Sequence, residues 1–184
     1  MHLILKNSIF PPFPDNLDEI HFGMGCFWGV ERLFWETGGV WSTSVGYSGG
    51  NETSPNYEKV CSGNTGHAEV VKVIYDPKII SFQKLLNIFW ESHDPTQGMR
   101  QGNDIGSQYR SIILLNNLDQ MKLVKKNLID VEKVFYNKGF NRITTELRLL
   151  DKFYYAEDYH QQYLAKNPNG YCSLKGLGIK FCNL

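Results

Sequence analysis

An α+β fold built on a ferredoxin-like, split βαβ sheet is what this 184-residue chain predicts, on three observations. Between residues 20 and 115, β-branched or aromatic runs and helical stretches follow one another as strand, helix, strand, strand, helix, strand, the order of a split βαβ unit. Turn residues bound the runs, among them Gly38-Gly39, Gly49-Gly50 and Asp76-Pro77. No internal repeat, linker or shift of composition divides the chain, so one domain over residues 1–184 is expected, long enough for a core of its own. Helices are expected to pack on the sheet, with a C-terminal helix and an irregular tail beyond it.

Residues 1–17 hold Pro11, Pro12 and Pro14 and read as an extended lead-in. Ile20-His21-Phe22 is a short strand. Val30, Leu33 and Phe34 recur at helical spacing until Gly38-Gly39. Val40 to Tyr47 is β-branched and aromatic and reads as a strand, and Asn51–Thr65 as a long polar loop. His67 to Tyr75 alternates and reads as a third strand. Ser81 caps a helix through Ser92, with Phe82, Leu85, Leu86 and Phe89 inward. Residues 93–107 lack periodicity and carry Gly98, Gly102 and Gly106, as a functional loop does. Tyr109–Leu115 is a strand, Leu118–Asn137 an amphipathic helix closed by Gly139, and Ile143–Leu149 a fifth strand. Ala156–Lys166 is the last helix, before a glycine-containing tail over residues 167–184.

Nineteen basic residues balance nineteen acidic ones, so no global field recruits nucleic acid or an anionic membrane. Lys122, Lys125 and Lys126 fit the wet face of a helix. The opening run Met1–Asn7 is too short for a signal sequence, and nothing approaches the roughly 18 apolar residues of a membrane span. A soluble, monomeric, cytoplasmic protein with reduced thiols is expected.

The segment Gly25-Cys26-Phe27-Trp28-Gly29 carries the strongest chemical signal. Cys26 sits where a strand ends and a helix begins, and the free N–H groups and dipole of a helix start favour thiolate. Two large aromatics beside it would wall an apolar pocket. Cys61 has nothing nearby to activate it and is expected to be buried or inert. Cys172 and Cys182, in a tail with glycines, suit disulfide relay, in which one sulfur must swing to another. No Cys-x2-4-Cys or His-x3-5-His pair supports a metal site. Cys26 to Arg32 also spells C-x-x-G-x-x-R, the spacing of cysteine-dependent phosphatases. Glu31 beside that arginine would repel a phosphate dianion, and Phe27-Trp28 would crowd its cradle.

Six blocks together carry a resemblance: Gly25–Gly29, Val45–Gly50, Tyr57–Gly63, Thr65–Val71, Gln101–Ser111 and Tyr159–Leu164. In order and spacing, over about residues 20–172, they resemble the peptide methionine sulfoxide reductases of the A type. The resemblance implies reduction of methionine S-sulfoxide, free or in proteins, without metal or organic cofactor. It implies Cys26 as nucleophile and Glu69 as the acid that protonates the sulfoxide oxygen. Burial and negative neighbours, Asp104 among them, would raise the carboxyl's pKa into the range where it donates. Tyr57 and Tyr109 match tyrosines that bond the sulfoxide oxygen, and Asp104 a residue that orients polar groups around it. Phe27 and Trp28 match the cage for the methyl group, since sulfur and its methyl pack well on aromatic rings. Cys172 matches the resolving cysteine that meets the Cys26 sulfenic acid. Cys182 would carry the disulfide onward to thioredoxin, although Ser173–Phe181 is longer and poorer in glycine than the usual gap between two recycling thiols. His67 is expected to make a structural hydrogen bond. Two rivals remain at this stage: a phosphatase built on Cys26 and Arg32, and a non-catalytic binder of oxidised methionine.

Overall fold

Alternation in the strands decides which side chains meet the helices. In the computed structural model, which describes residues 1–181, Ile20, Phe22 and Met24 of β1 (Asp18–Met24) lie on one buried face. The same face collects Val71, Val73 and Tyr75 from β3 (Ala68–Tyr75) and Ile113 and Leu115 from β6 (Ser111–Leu115). Against it pack Val30 and Phe34 of α1 (Phe27–Trp35), Leu85, Leu86 and Phe89 of α3 (Phe82–Ser92), and Val124, Val131 and Phe135 of α4 (Leu118–Asn137). The opposite face holds a smaller cluster of Ala68, Val70, Ile112 and Leu114 under Leu150 and Phe153. By the two-residue period of β3, Glu69 therefore falls on the helix side.

The sheet is six-stranded in the order β7-β6-β1-β3-β2-β8, with β2 spanning Val40–Ser48, β7 Glu146–Leu149 and β8 Phe153–Tyr155. β1 is antiparallel to both β3 and β6, and β2 to both β3 and β8; β6 and β7 run parallel. The architecture is α+β. It brings the C-terminal end of β1 beside β3, and so sets the start of α1 over Glu69.

Caps fall where side-chain chemistry predicts. Ser81 accepts from the Lys84 N–H at 3.1 Å, and Asn117 from those of Asp119 and Gln120. Lys122, Lys125 and Lys126 are exposed on α4, as a wet face requires.

Several expectations are corrected. The loop Asn51–Thr65 contains a short helix, α2 (Tyr57–Cys61), capped by Asn56, whose side chain accepts from Lys59 N–H at 2.9 Å. Residues 93–107 include a small hairpin, β4 (Arg100–Gln101) and β5 (Asp104–Ile105), and Tyr109 ends a 3₁₀ turn over Ser107–Tyr109 rather than opening β6. The fifth expected strand begins only at Glu146. The last helix shrinks to α5 (Tyr163–Lys166), because residues 160–162 spend their side chains elsewhere. Gln161 pairs with the backbone of Val45 through both ends of its amide, at 3.0 and 2.8 Å, and Gln162 adopts a left-handed φ of 48°. A polar run that docks on a strand edge has no reason to close its own helix.

Candidate active site

Gly25 turns the chain from β1 into α1 with φ at +96°, and a β-carbon there would meet the Gln101 side chain at 2.8 Å. Cys26 follows as the N-cap of α1. From β3, Glu69 Oε2 accepts the Phe27 N–H at 3.0 Å, so the carboxyl is tied to the residue next to the cysteine. Cys26, Phe27, Trp28, Tyr57, Glu69, Asp104, Tyr109 and Tyr171 line one cavity of about 200 Å³. The chain thus brings together seven residues singled out from the sequence, and adds Tyr171. Cys172 lies against α1 just outside that cavity, where Arg32 Nη2 donates to its sulfur at 3.2 Å. Cys182 lies outside the described residues.

Electrostatics here correct the expectation of a resting thiolate. Burial pushes the Cys26 thiol well above its ordinary range. The charge of Glu69 adds to this, and the Trp28 N–H at the helix start recovers only part. Desolvation outweighs the helix dipole. The same burial, with Asp104 behind it and against the Phe27 N–H, lifts Glu69 to about 8. At neutral pH the resting site therefore holds two protons, one on sulfur and one on the carboxyl. Burial likewise keeps the Tyr57 and Tyr109 phenols protonated as hydrogen-bond donors.

Asp104 is not free toward the cavity. Its Oδ1 accepts from the Tyr171 hydroxyl at 2.9 Å and its Oδ2 from Ser173 at 2.5 Å, so it pins the tail. His67 makes the expected structural bonds, to Gly50 N–H at 3.0 Å and the Glu52 carbonyl at 2.8 Å, and does not line the cavity. Cys61 is exposed rather than buried, with its thiol against the Tyr57 hydroxyl. The phosphatase geometry fails on Arg32. Its guanidinium meets Cys172 and stays out of the cavity, while the carboxyl of Glu31 turns inward to Thr43 and Gln162. Among the described residues no cluster of three or more His, Cys, Asp or Glu could hold a metal ion.

Sequence reasoning assigned no role to His160, Glu157 and Tyr163, which hold the cage from behind. Trp28 Nε1–H donates to His160 Nδ1 at 3.0 Å, and the indole stacks on Tyr163 with centroids 3.8 Å apart. Burial lowers the pKa of His160, which favours the neutral ring that such an acceptor must be. Glu157 accepts from Tyr57 N–H and from the Tyr47 hydroxyl, both at 2.8 Å, fixing the start of α2. The signal was the run Tyr159-His160-Gln161-Gln162-Tyr163, too polar and aromatic for a plain amphipathic helix.

Residues 18–179 match the family model for peptide methionine sulfoxide reductase. The peptide methionine sulfoxide reductase MsrA 2 of Nostoc sp. is 53% identical over 178 residues, which is 97% of this chain and 80% of the relative. Among solved structures, methionine sulfoxide reductase A of Corynebacterium diphtheriae superposes with a TM-score of 0.87 at 44% identity, covering 93% of this chain and 83% of that one. Reduced Mxr1 of Saccharomyces cerevisiae gives 0.80 at 35% identity, over 90% and 96%. Mxr1 in complex with Trx2, 22% identical with a TM-score of 0.59 over 93% and 96%, bears on the fold alone. A family model spanning nearly the whole chain, and relatives this similar, leave one assignment for a cysteine at a helix start above a buried carboxyl: the chain belongs to the peptide methionine sulfoxide reductase family, A type.

Proposed function

We propose that this protein reduces methionine S-sulfoxide, free or in proteins, to methionine with Cys26 as nucleophile and Glu69 as proton donor. The observation that carries the assignment of roles is the Glu69–Phe27 bond, which ties a carboxyl raised to about 8 to the helix start bearing the cysteine, inside one aromatic-walled cavity. Phe27 and Trp28 receive the methyl group, and the Tyr57 and Tyr109 hydroxyls face the sulfoxide oxygen. Asp104 acts through the tail it holds.

The step balances on this chain's own groups. Glu69 gives its proton to the sulfoxide oxygen, which draws electrons from the sulfur and opens it to attack. Cys26 attacks as its proton passes to the carboxylate that donation leaves behind. Oxygen ends on Cys26 as sulfenic acid and methionine departs, so Cys–SH and sulfoxide become Cys–SOH and sulfide. Cys172 then displaces water to form a disulfide, and two electrons have passed from two thiols. Cys182 and thioredoxin complete the cycle; family membership supports both, with Cys182 the second recycling thiol.

The unit doing this is a single catalytic domain, with residues 1–17 as lead-in and 167–184 as recycling tail. Its core reads as a ferredoxin-like split βαβ sheet, supported by the neighbour order β6-β1-β3-β2 and the antiparallel pairing of those strands. No helix among the described residues is long and apolar enough to cross a membrane. A reducing cytoplasm fits the chemistry, because Cys26 and Cys172 must begin each cycle as thiols.

Mass spectrometry after one equivalent of N-acetylmethionine S-sulfoxide, without reductant, tests the proposal. The protein should release N-acetylmethionine, lose two hydrogens and carry a bridge from Cys26 to Cys172, or from Cys172 to Cys182. Saturable binding with no bridge would make it a mere reader of oxidised methionine.

A further inference from the structure

The sequence motif C-x-x-G-x-x-R at residues 26–32 sets a glycine and an arginine beyond its cysteine. Residues 26, 29 and 32 lie three apart and share one side of α1. On that side sits the tail. A β-carbon at Gly29 would come within 2.7 Å of Cys172 Sγ and 3.1 Å of Leu174 Cβ, so the missing side chain is the space the sulfur occupies. Arg32 Nη2 donates to the same sulfur at 3.2 Å, and no ion pair among the described residues competes for that guanidinium. On either side of Cys172, Tyr171 and Ser173 are both bonded to Asp104. Three residues of tail are thus held from two directions, with the middle one turned onto α1.

We propose that Gly29 and Arg32 form a seat for the Cys172 sulfur, and that this seat sets the rate at which the Cys26 sulfenic acid is resolved. The inference rests on Cys172 being the resolving cysteine. Three residues of helix rise about 4.5 Å, so a sulfur parked at Gly29 is one short movement from the helix start. In the resolving step the Cys172 sulfur bonds to the Cys26 sulfur as the S–O bond breaks. The departing hydroxide takes the proton that Cys172 gave up and leaves as water. The attacking sulfur carries negative charge, and the Arg32 guanidinium is a fixed cation at hydrogen-bond distance from it. Arg32 is a positioning residue: it touches neither sulfoxide nor Cys26. Without the seat, the sulfur is held only through its neighbours' bonds to Asp104, and the sulfenic acid waits.

Single-turnover mixing of the full chain with N-acetylmethionine S-sulfoxide, without thioredoxin, separates the two steps. Release of N-acetylmethionine reports attack; dimedone capture of Cys26, followed by mass, reports the life of the sulfenic acid. Arg32→Met should release N-acetylmethionine within about twofold of the parent rate yet lengthen that life about tenfold, the scale of one charge-assisted hydrogen bond. Arg32→Lys should recover part of the loss, and Gly29→Ala should lengthen the life by pushing the sulfur off α1. Resolution at the parent rate in both Arg32→Met and Gly29→Ala overturns the seat, as does equal slowing of both steps in Arg32→Met. Cys172→Ser is the control that tells the two failures apart. Sulfenic acid accumulating there while Arg32→Met and Gly29→Ala both resolve normally removes the seat alone; no accumulation in Cys172→Ser removes the resolving role and the seat with it.

Discussion

Replacing Glu69 by glutamine is expected to slow methionine formation by about 10²–10³-fold, the range of a lost general acid, while thioredoxin reduces the enzyme's disulfide nearly as before. Glutamine is the informative choice because its amide oxygen can still accept the Phe27 N–H, leaving the start of α1 in place. The sign of the effect is what discriminates. Were Glu69 ionised, its charge would raise the Cys26 pKa, and removing that charge would make the thiolate easier to form. If the carboxyl were only a negative neighbour, Glu69→Gln would quicken the attack. A large slowing means that the carboxyl acts through its proton. Stopped-flow release of methionine decides it.

The same carboxyl sets the alkaline limit of the first step. Lifted to about 8, Glu69 keeps its proton at neutral pH and loses it as pH rises through that value. Single-turnover rates in the parent should fall above about pH 8, and this limb should vanish from the already slow Glu69→Gln.

Much of the frame is legible in the sequence alone. β1, α1, β2, β3, α3 and α4 announce themselves because Ile20/Phe22, Val71/Val73 and Leu85/Leu86/Phe89 repeat at the period of their element and meet in one core. What stayed hidden has physical causes. β8 is three residues, Phe153–Tyr155, too short for alternation to register, and exists because β2 offers it an edge. α2 rests on the Asn56 cap and on Glu157, whose carboxylate holds Tyr57 N–H from 100 residues away. Cys26 stands out by its place between glycines and aromatics at a helix start and Glu69 by resemblance alone, yet that helix start suggested thiolate where burial enforces thiol. Local sequence carries the dipole; only packing carries the desolvation. The Arg32–Cys172 contact spans 140 residues and was out of reach of any local reading.

Glu31, which sequence reasoning treated as a repulsive neighbour of Arg32, should prove a main point of stability. It is fully buried. Its Oε1 accepts from Thr43 at 3.1 Å and Gln162 Nε2 at 2.8 Å, and its Oε2 from Gln162 N–H at 2.7 Å. One carboxyl thereby joins α1, β2 and the segment leading into α5, which carries His160 and Tyr163 behind Trp28. Glu31→Ala strands these donors without water and should cost on the order of 3–5 kcal/mol, lowering the melting temperature by about 10 °C for a chain of this size. Glu31→Gln keeps the shape, and its loss should be on the order of 1–2 kcal/mol.

The pH dependence supplies a second readout. Burial raises Glu31 to about 7, against about 4.3 unfolded. Between those values the folded chain holds a proton that the unfolded chain has released, so this stability is complete below about pH 4 and lost as pH rises through 7. Glu69, at about 8, acts in the same direction. His2, His21 and His93 act oppositely: burial lowers them to about 4, 3 and 4, and the stability they contribute is complete above about 6.5 and lost in acid. From pH 4.5 to 6.5 these imidazoles, with His160 lowered in the same direction, outweigh the two carboxyls and stability climbs. Above 6.5 the carboxyls act alone and it declines toward pH 8. Calorimetric melting across pH 4–9 should therefore peak near 6.5, and Glu31→Gln should flatten the descent on the alkaline side. A descent as steep in the variant as in the parent would mean that the buried carboxyl holds no proton in the folded chain.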